Sequence, residues 1–68
     1  DVEGERKRLQ KTIDGKQKQV AGFKGKLGNE GYVNNAKPEM VEETRRKLVE
    51  AEADLAAAEA GMAALAST

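Results

Sequence analysis

Two stretches of this chain carry apolar residues at alternating steps of four and three, and a polar, glycine-bearing segment separates them. In the first, positions 2, 6, 9, 13, 16, 20, 23 and 27 hold Val2, Arg6, Leu9, Ile13, Lys16, Val20, Phe23 and Leu27. In the second, positions 41, 44, 48, 51, 55, 58, 62 and 65 hold Val41, Thr44, Leu48, Ala51, Leu55, Ala58, Met62 and Leu65. So narrow a seam belongs to helices that pair as a coiled coil, not to a helix resting on a broad core. The seams are equally long, as a chain folded back on itself requires. The pattern predicts an all-α fold, a two-helix antiparallel coiled-coil hairpin. Its helices are expected over about 2–27 and about 38–66, with a tip loop over about 28–37, in a single unit spanning 1–68.

The segment between the seams decides against the competing architecture, a parallel dimer of one continuous helix. Gly28, Gly31 and the Asn34-Asn35 pair disfavour helix, and Pro38 removes a backbone donor from any helix running through it. Pro38 suits instead the first turn of a new helix, with Glu39, Glu42 and Glu43 at the positive end of its dipole. Gly28 is a natural stop for the helix before it. Tyr32 and Val33 are expected to fold back onto Leu27 and Val41 and cover the open end of the seam. The pairing register stays open, because Lys16 and the many alanines permit two heptad offsets.

The two helices differ in quality. The second is rich in Ala, Leu and Glu, with Glu42–Arg46 and Glu43–Lys47 at i,i+4 spacing. The first carries Gly4, Gly15, Gly22 and Gly25, each costing about 0.5–1 kcal/mol relative to Ala. It also places Arg6 and Lys16 in its seam, where only their stems can be buried. The first helix is therefore expected to depend on the second.

Composition narrows the chemistry. In 68 residues, 38% are hydrophobic, many of them alanine, so no thick globular core can form. Charged residues reach 35%, which suits disorder only if the apolar positions are scattered, and they are not. Cysteine and histidine are absent from the sequence, which removes disulfides, thiol chemistry and the usual zinc sites. No apolar run approaches the ~20 residues of a membrane span, and nothing resembles a signal peptide. A start at Asp1 without methionine is what a piece of a longer chain is expected to show.

No catalytic constellation is present either. The remaining nucleophiles and bases are Ser67, Thr12, Thr44 and solvated carboxylates or lysines, and a two-helix hairpin offers them no cleft. Glu50, Glu52 and Asp54 look like a carboxylate cluster, but alternate residues on a helix point to different faces, which favours a solvated surface over a metal site. Gly22-Phe23-Lys24-Gly25-Lys26 lacks the spacing of a phosphate-binding loop. The expectation is a non-catalytic unit with no cofactor of its own.

A formal net charge of zero hides an asymmetry between the halves. Residues 1–27 carry eight basic side chains against four acidic, and residues 38–68 carry three against seven, which gives +4 and −4. Opposite halves attract when folded together, and a basic helix also offers itself to a polyanion. Lys7, Arg8, Lys11 and Lys18 fall off the first seam, on or near one outward strip. Lys24 and Lys26 flank that seam near the tip, where Arg45 and Arg46 begin close by. These eight residues form the candidate RNA-binding set. They would equally serve to solvate an exposed helix. Like charge crowded near the tip, with no acid placed beside Lys24 or Arg45, favours a surface that neutralises phosphates without reading bases. Gly15 and Gly22, seven apart, and Gly25 on a neighbouring line would admit a sugar–phosphate backbone, although drift at exposed positions is the simpler account. Tyr32 could stack on a base, but its neighbour Val33 favours packing at the tip.

The tip and its flanks resemble a known family. Lys26-Leu27-Gly28-Asn29-Glu30-Gly31-Tyr32-Val33, followed by Ala36, Pro38-Glu39, Val41-Glu42 and Arg45-Arg46-Lys47-Leu48, is similar to the C-terminal tRNA-binding arm of valyl-tRNA synthetases. Three departures stand out: Tyr32 where the family usually has phenylalanine, Lys37 between Ala36 and Pro38, and the glycines of the first helix. The resemblance implies an antiparallel coiled coil projecting from a large, cytoplasmic, ATP-dependent synthetase onto the outer corner of the L-shaped tRNA. Valine activation, transfer and editing would belong to other domains, and the partners would be tRNA and the remainder of the synthetase, with no membrane. The arm would add affinity and orientation through backbone charge, with strong salt dependence. Two other readings stay open on the residues alone: the coiled-coil tail of an ABC-type ATPase acting on ribosomes or nucleic acid, and a structural or protein-docking hairpin.

Overall fold

A computed structural model describes residues 1–67 as three helices: α1 (Val2–Leu27), α2 (Glu30–Asn35) and α3 (Pro38–Ser67). The two long helices lie side by side in a rod of 48 × 14 × 14 Å, while α2 rests on the end of α1. The hairpin read from the heptads is therefore the observed fold. Thr68, the last residue of the expected unit, lies outside the described residues. Among the described residues, no helix is long and apolar enough to cross a membrane.

Each helix begins where the backbone finds a cap. Asp1 Oδ1 accepts from the Glu3 amide at 3.2 Å, and Glu3 and Glu5 sit in the first turn of α1, where the dipole favours acids. Lys24 and Lys26 occupy its last turn, which favours bases. The chain leaves α1 through the Gly28 and Asn29 amides, which donate to the carbonyls of Lys24 and Lys26 at 2.9 and 3.1 Å. Gly28 stays right-handed, at φ −82° and ψ −8°. In α3, Pro38 supplies no donor at the position where none is needed, and the Lys37 carbonyl accepts from Met40 and Val41.

The connection differs from the expected loop. Its central six residues form α2, because Asn29 leaves the helical region and its Oδ1 accepts from the Tyr32 amide at 3.3 Å. That cap offsets the poor propensity of Gly31 and the asparagines. Asn35 contributes as well, its Nδ2 donating to the Gly31 carbonyl at 2.8 Å. Tyr32, Val33 and Ala36 are half-buried and close the tip end of the seam.

The core is one seam thick. Ile13 and Val20 of α1 are buried with Val41, Thr44, Ala51 and Ala58 of α3, and Leu9, Phe23, Leu27, Leu48, Leu55, Met62 and Leu65 are half-buried. Two contacts define the register the sequence left open. Leu9 packs over Gly61, with its methyls 3.5 Å from where a Cβ would stand, and Lys16 Nζ reaches Asp54 Oδ2 at 3.2 Å. Seven residues along α1 are thus met by seven residues back along α3.

One more heptad outward takes Val2 past Ser67, the last residue of α3. Val2 is accordingly half exposed at 50%, and Arg6 turns to Glu3 at 3.5 Å instead of entering the seam. Gly61, beside the expected seam residue Met62, is drawn in as well.

Candidate nucleic-acid interface

The seam determines where every basic side chain goes. Lys11 stands two residues from both Leu9 and Ile13, and Lys18 two residues from both Lys16 and Val20. Two residues turn a helix by about 200°, so both lysines stand on the ridge of α1 directly away from α3. Lys7 lies one turn before Lys11 on the same ridge. All three are exposed.

The rest of the ridge is glycine. Taken at steps of three and four, it reads Gly4, Lys7, Lys11, Gly15, Lys18, Gly22, Gly25, and includes every glycine of α1. A Cβ added at Gly15, Gly22 or Gly25 would meet nothing within 4 Å, so no packing inside the hairpin calls for a small residue there. Gly25 belongs to this ridge and not to a neighbouring line, because the lysines complete the three–four spacing that the glycines alone leave broken.

The remaining candidates divide among other faces. Lys24 follows Phe23 whereas Lys26 precedes Leu27, which places them on opposite flanks of the seam. Arg8, five turns before Lys26, shares its flank. Arg45 is seven residues before Glu52 and lies on the flank that Glu52 and Lys24 occupy. Arg46 stands two residues from both Thr44 and Leu48, hence on the far side of α3. The eight residues are therefore not one face: three line the outward ridge of α1, four sit two by two on the flanks, and Arg46 is on the opposite edge of the rod.

Ion pairing sorts the charges further. Arg8 pairs with Glu5 at 3.2 Å and Lys47 with Glu43 at 3.5 Å within their own helices. Lys16–Asp54 at 3.2 Å and Lys24–Glu52 at 3.7 Å join α1 to α3 from the two sides of the seam. The expectation that no acid lies beside Lys24 is thereby corrected, because the fold brings Glu52 across to it. Both partners of that pair are about half exposed, so it is weak and leaves Lys24 open to solvent. Among the described residues, Lys7, Lys11, Lys18, Lys26, Arg45 and Arg46 form no ion pair, and the expected Glu42–Arg46 pair is not made.

The outer side of α3 has a different character. A shallow open depression there is lined by Glu39, Glu42, Glu43, Arg45, Arg46 and Val49, so three carboxylates surround the two arginines. Among the described residues, no group of three or more carboxylates is placed to hold a metal ion. Glu52 and Asp54 point to opposite flanks, each toward a lysine of α1.

Comparison with known proteins gives one consistent result. The family model described as the valyl tRNA synthetase tRNA binding arm matches residues 1–66. A valine--tRNA ligase of Caulobacter vibrioides is 45% identical over 67 residues, covering 98% of this chain and 7% of that protein. Valine--tRNA ligases of Cereibacter sphaeroides and Nocardia farcinica are 38% and 40% identical over 65 residues, each covering 96% of this chain and 7% of the relative. The chain thus spans about 7% of the length of these relatives. No solved structure matches.

Proposed function

Because the chain belongs to the family of valyl-tRNA synthetase tRNA-binding arms, we propose that it binds tRNA and holds it for valine–tRNA ligation by the parent enzyme. The contact lies at the outer corner of the tRNA, where the D and T loops meet. A slender rod 48 Å long and 14 Å across suits this role, since it offers length and charge to an extended partner. Activation of valine with ATP, transfer to tRNA and editing belong to the remainder of the synthetase, and the arm itself contributes no catalytic group or cofactor.

The observation that carries this reading beyond family membership is an exposed ridge of lysines, Lys7, Lys11 and Lys18, that form no ion pair among the described residues. Such charges neutralise phosphates by displacing counterions, which gives affinity and orientation with little discrimination between sequences. Lys26 and Lys24 extend the positive surface toward the tip. Selection of the correct tRNA therefore rests on contacts elsewhere in the parent enzyme.

Charge reversal at Lys7, Lys11 and Lys18 in the full-length synthetase tests the proposal. The expected result is a raised KM for tRNA with unchanged valine-dependent ATP–pyrophosphate exchange. Unchanged tRNA kinetics would refute the assignment of these lysines to the contact.

A further inference from the structure

We infer that the RNA backbone lies along the glycine–lysine ridge of α1, close to the helix main chain at Gly15 and Gly22, and that the outer side of α3 faces away from it. The inference rests on the tRNA-binding reading above and specifies how the contact is made.

Three observations favour this ridge. Among the described residues, Lys7, Lys11 and Lys18 have no ion pair to break before they meet a phosphate, whereas Arg8, Lys16 and Lys24 are already engaged. An acid bordering the ridge, Asp14, accepts a hydrogen bond from Gln10 Nε2 at 3.0 Å. On α3, by contrast, Arg46 shares its surface with Glu39, Glu42 and Glu43, which repel a polyanion.

The glycines determine how close the approach is. Gly15 falls between Lys11 and Lys18, and Gly22 one turn beyond Lys18, so open main chain alternates with long cationic stems over about 27 Å from Lys7 to Gly25. With no Cβ at those points a ribose–phosphate strand can lie against the helix, and the neighbouring ammonium groups reach its phosphates from either side. A lysine ridge on an alanine helix would hold the same strand farther off. Exposed glycines weaken a helix, and here nothing within the hairpin requires them.

The test separates stability from binding. Gly15→Ala, Gly22→Ala and Gly25→Ala are combined in the 68-residue chain, and binding to a tRNA transcript is measured across a salt series beside the parent chain and an Arg46→Gln variant. The triple variant is expected to melt higher, by on the order of 10 °C. It should nevertheless bind tRNA about tenfold more weakly, the equivalent of one charge-assisted contact. Arg46→Gln is expected to keep the affinity and salt slope of the parent. A triple variant that is more stable and binds as well or better overturns the close approach, and a flattened salt slope in Arg46→Gln overturns the choice of edge. If the unaltered chain fails to bind tRNA at low salt, the tRNA-binding reading itself falls, an outcome distinguishable from the other two.

Discussion

The phenol oxygen of Tyr32 and the hydroxyl of Thr44 lie 2.9 Å apart across twelve residues of chain, tying α2 to the seam. Thr44 is buried, and its hydroxyl proton is committed to the Met40 carbonyl at 3.0 Å. Its oxygen therefore accepts, and Tyr32 donates. This gives the Tyr32 hydroxyl a role and holds that side chain at the tip.

Tyr32→Phe should cost about 1 kcal/mol, because the Thr44 oxygen loses its donor in a place water reaches poorly. Thr44→Val should cost a similar amount, and the two together less than their sum. Urea denaturation of the four proteins of this cycle measures the coupling. Strictly additive losses would mean the two hydroxyls do not interact in solution.

Gly61 differs from the ridge glycines because Leu9 covers it. A methyl there would meet the Leu9 methyls at 3.5 Å, ordinary van der Waals contact. Gly61→Ala should therefore stabilise the hairpin by about 0.5–1 kcal/mol through helix propensity, with a small packing gain. Thermal melting followed by circular dichroism checks it, and a lowered melting temperature would show that the register places Leu9 elsewhere.

The register has an electrostatic test as well. Lys16→Glu and Asp54→Lys should each destabilise by up to about 1 kcal/mol, and the swapped double variant should recover most of the loss. Recovery should fade at high salt, since Asp54 is well exposed. Equal melting temperatures for all four chains would remove this pair as a determinant of register.

Peptides divide the hairpin into its halves. A peptide of residues 1–28 should be largely unstructured in water, because the four glycines within α1 remove roughly 2–4 kcal/mol of helix propensity and it has no partner to bury Ile13 and Val20. A peptide of residues 37–67 should show more helix. A strongly helical 1–28 peptide would contradict the dependence of α1 on α3.

Most of this fold was legible because the four–three spacing and Pro38 constrain it locally. The heptads located both helices, and Leu9 to Leu27 and Val41 to Leu65 do line the seam. Sequence reading failed where a long-range contact decides. The register follows from Leu9 on Gly61 and Lys16 on Asp54, and no local pattern contains those pairings. Helix α2 was obscured by the propensities of Gly31, Asn34 and Asn35, which a single Asn29 cap offsets. In the candidate site, the basic residue types were visible but their grouping was not. Lys24 looked unopposed until the fold brought Glu52 to it, and Arg46 looked close to Lys26 in the tip region although it faces the other edge.

The most direct test of the central claim is a titration of the isotopically labelled 68-residue chain with tRNA, followed amide by amide in NMR at low and at moderate salt. The account predicts shifts concentrated between Lys7 and Gly25 on α1, weaker along the outer side of α3, and lost steeply as salt rises. Shifts confined to α3, or none at low salt, would contradict it.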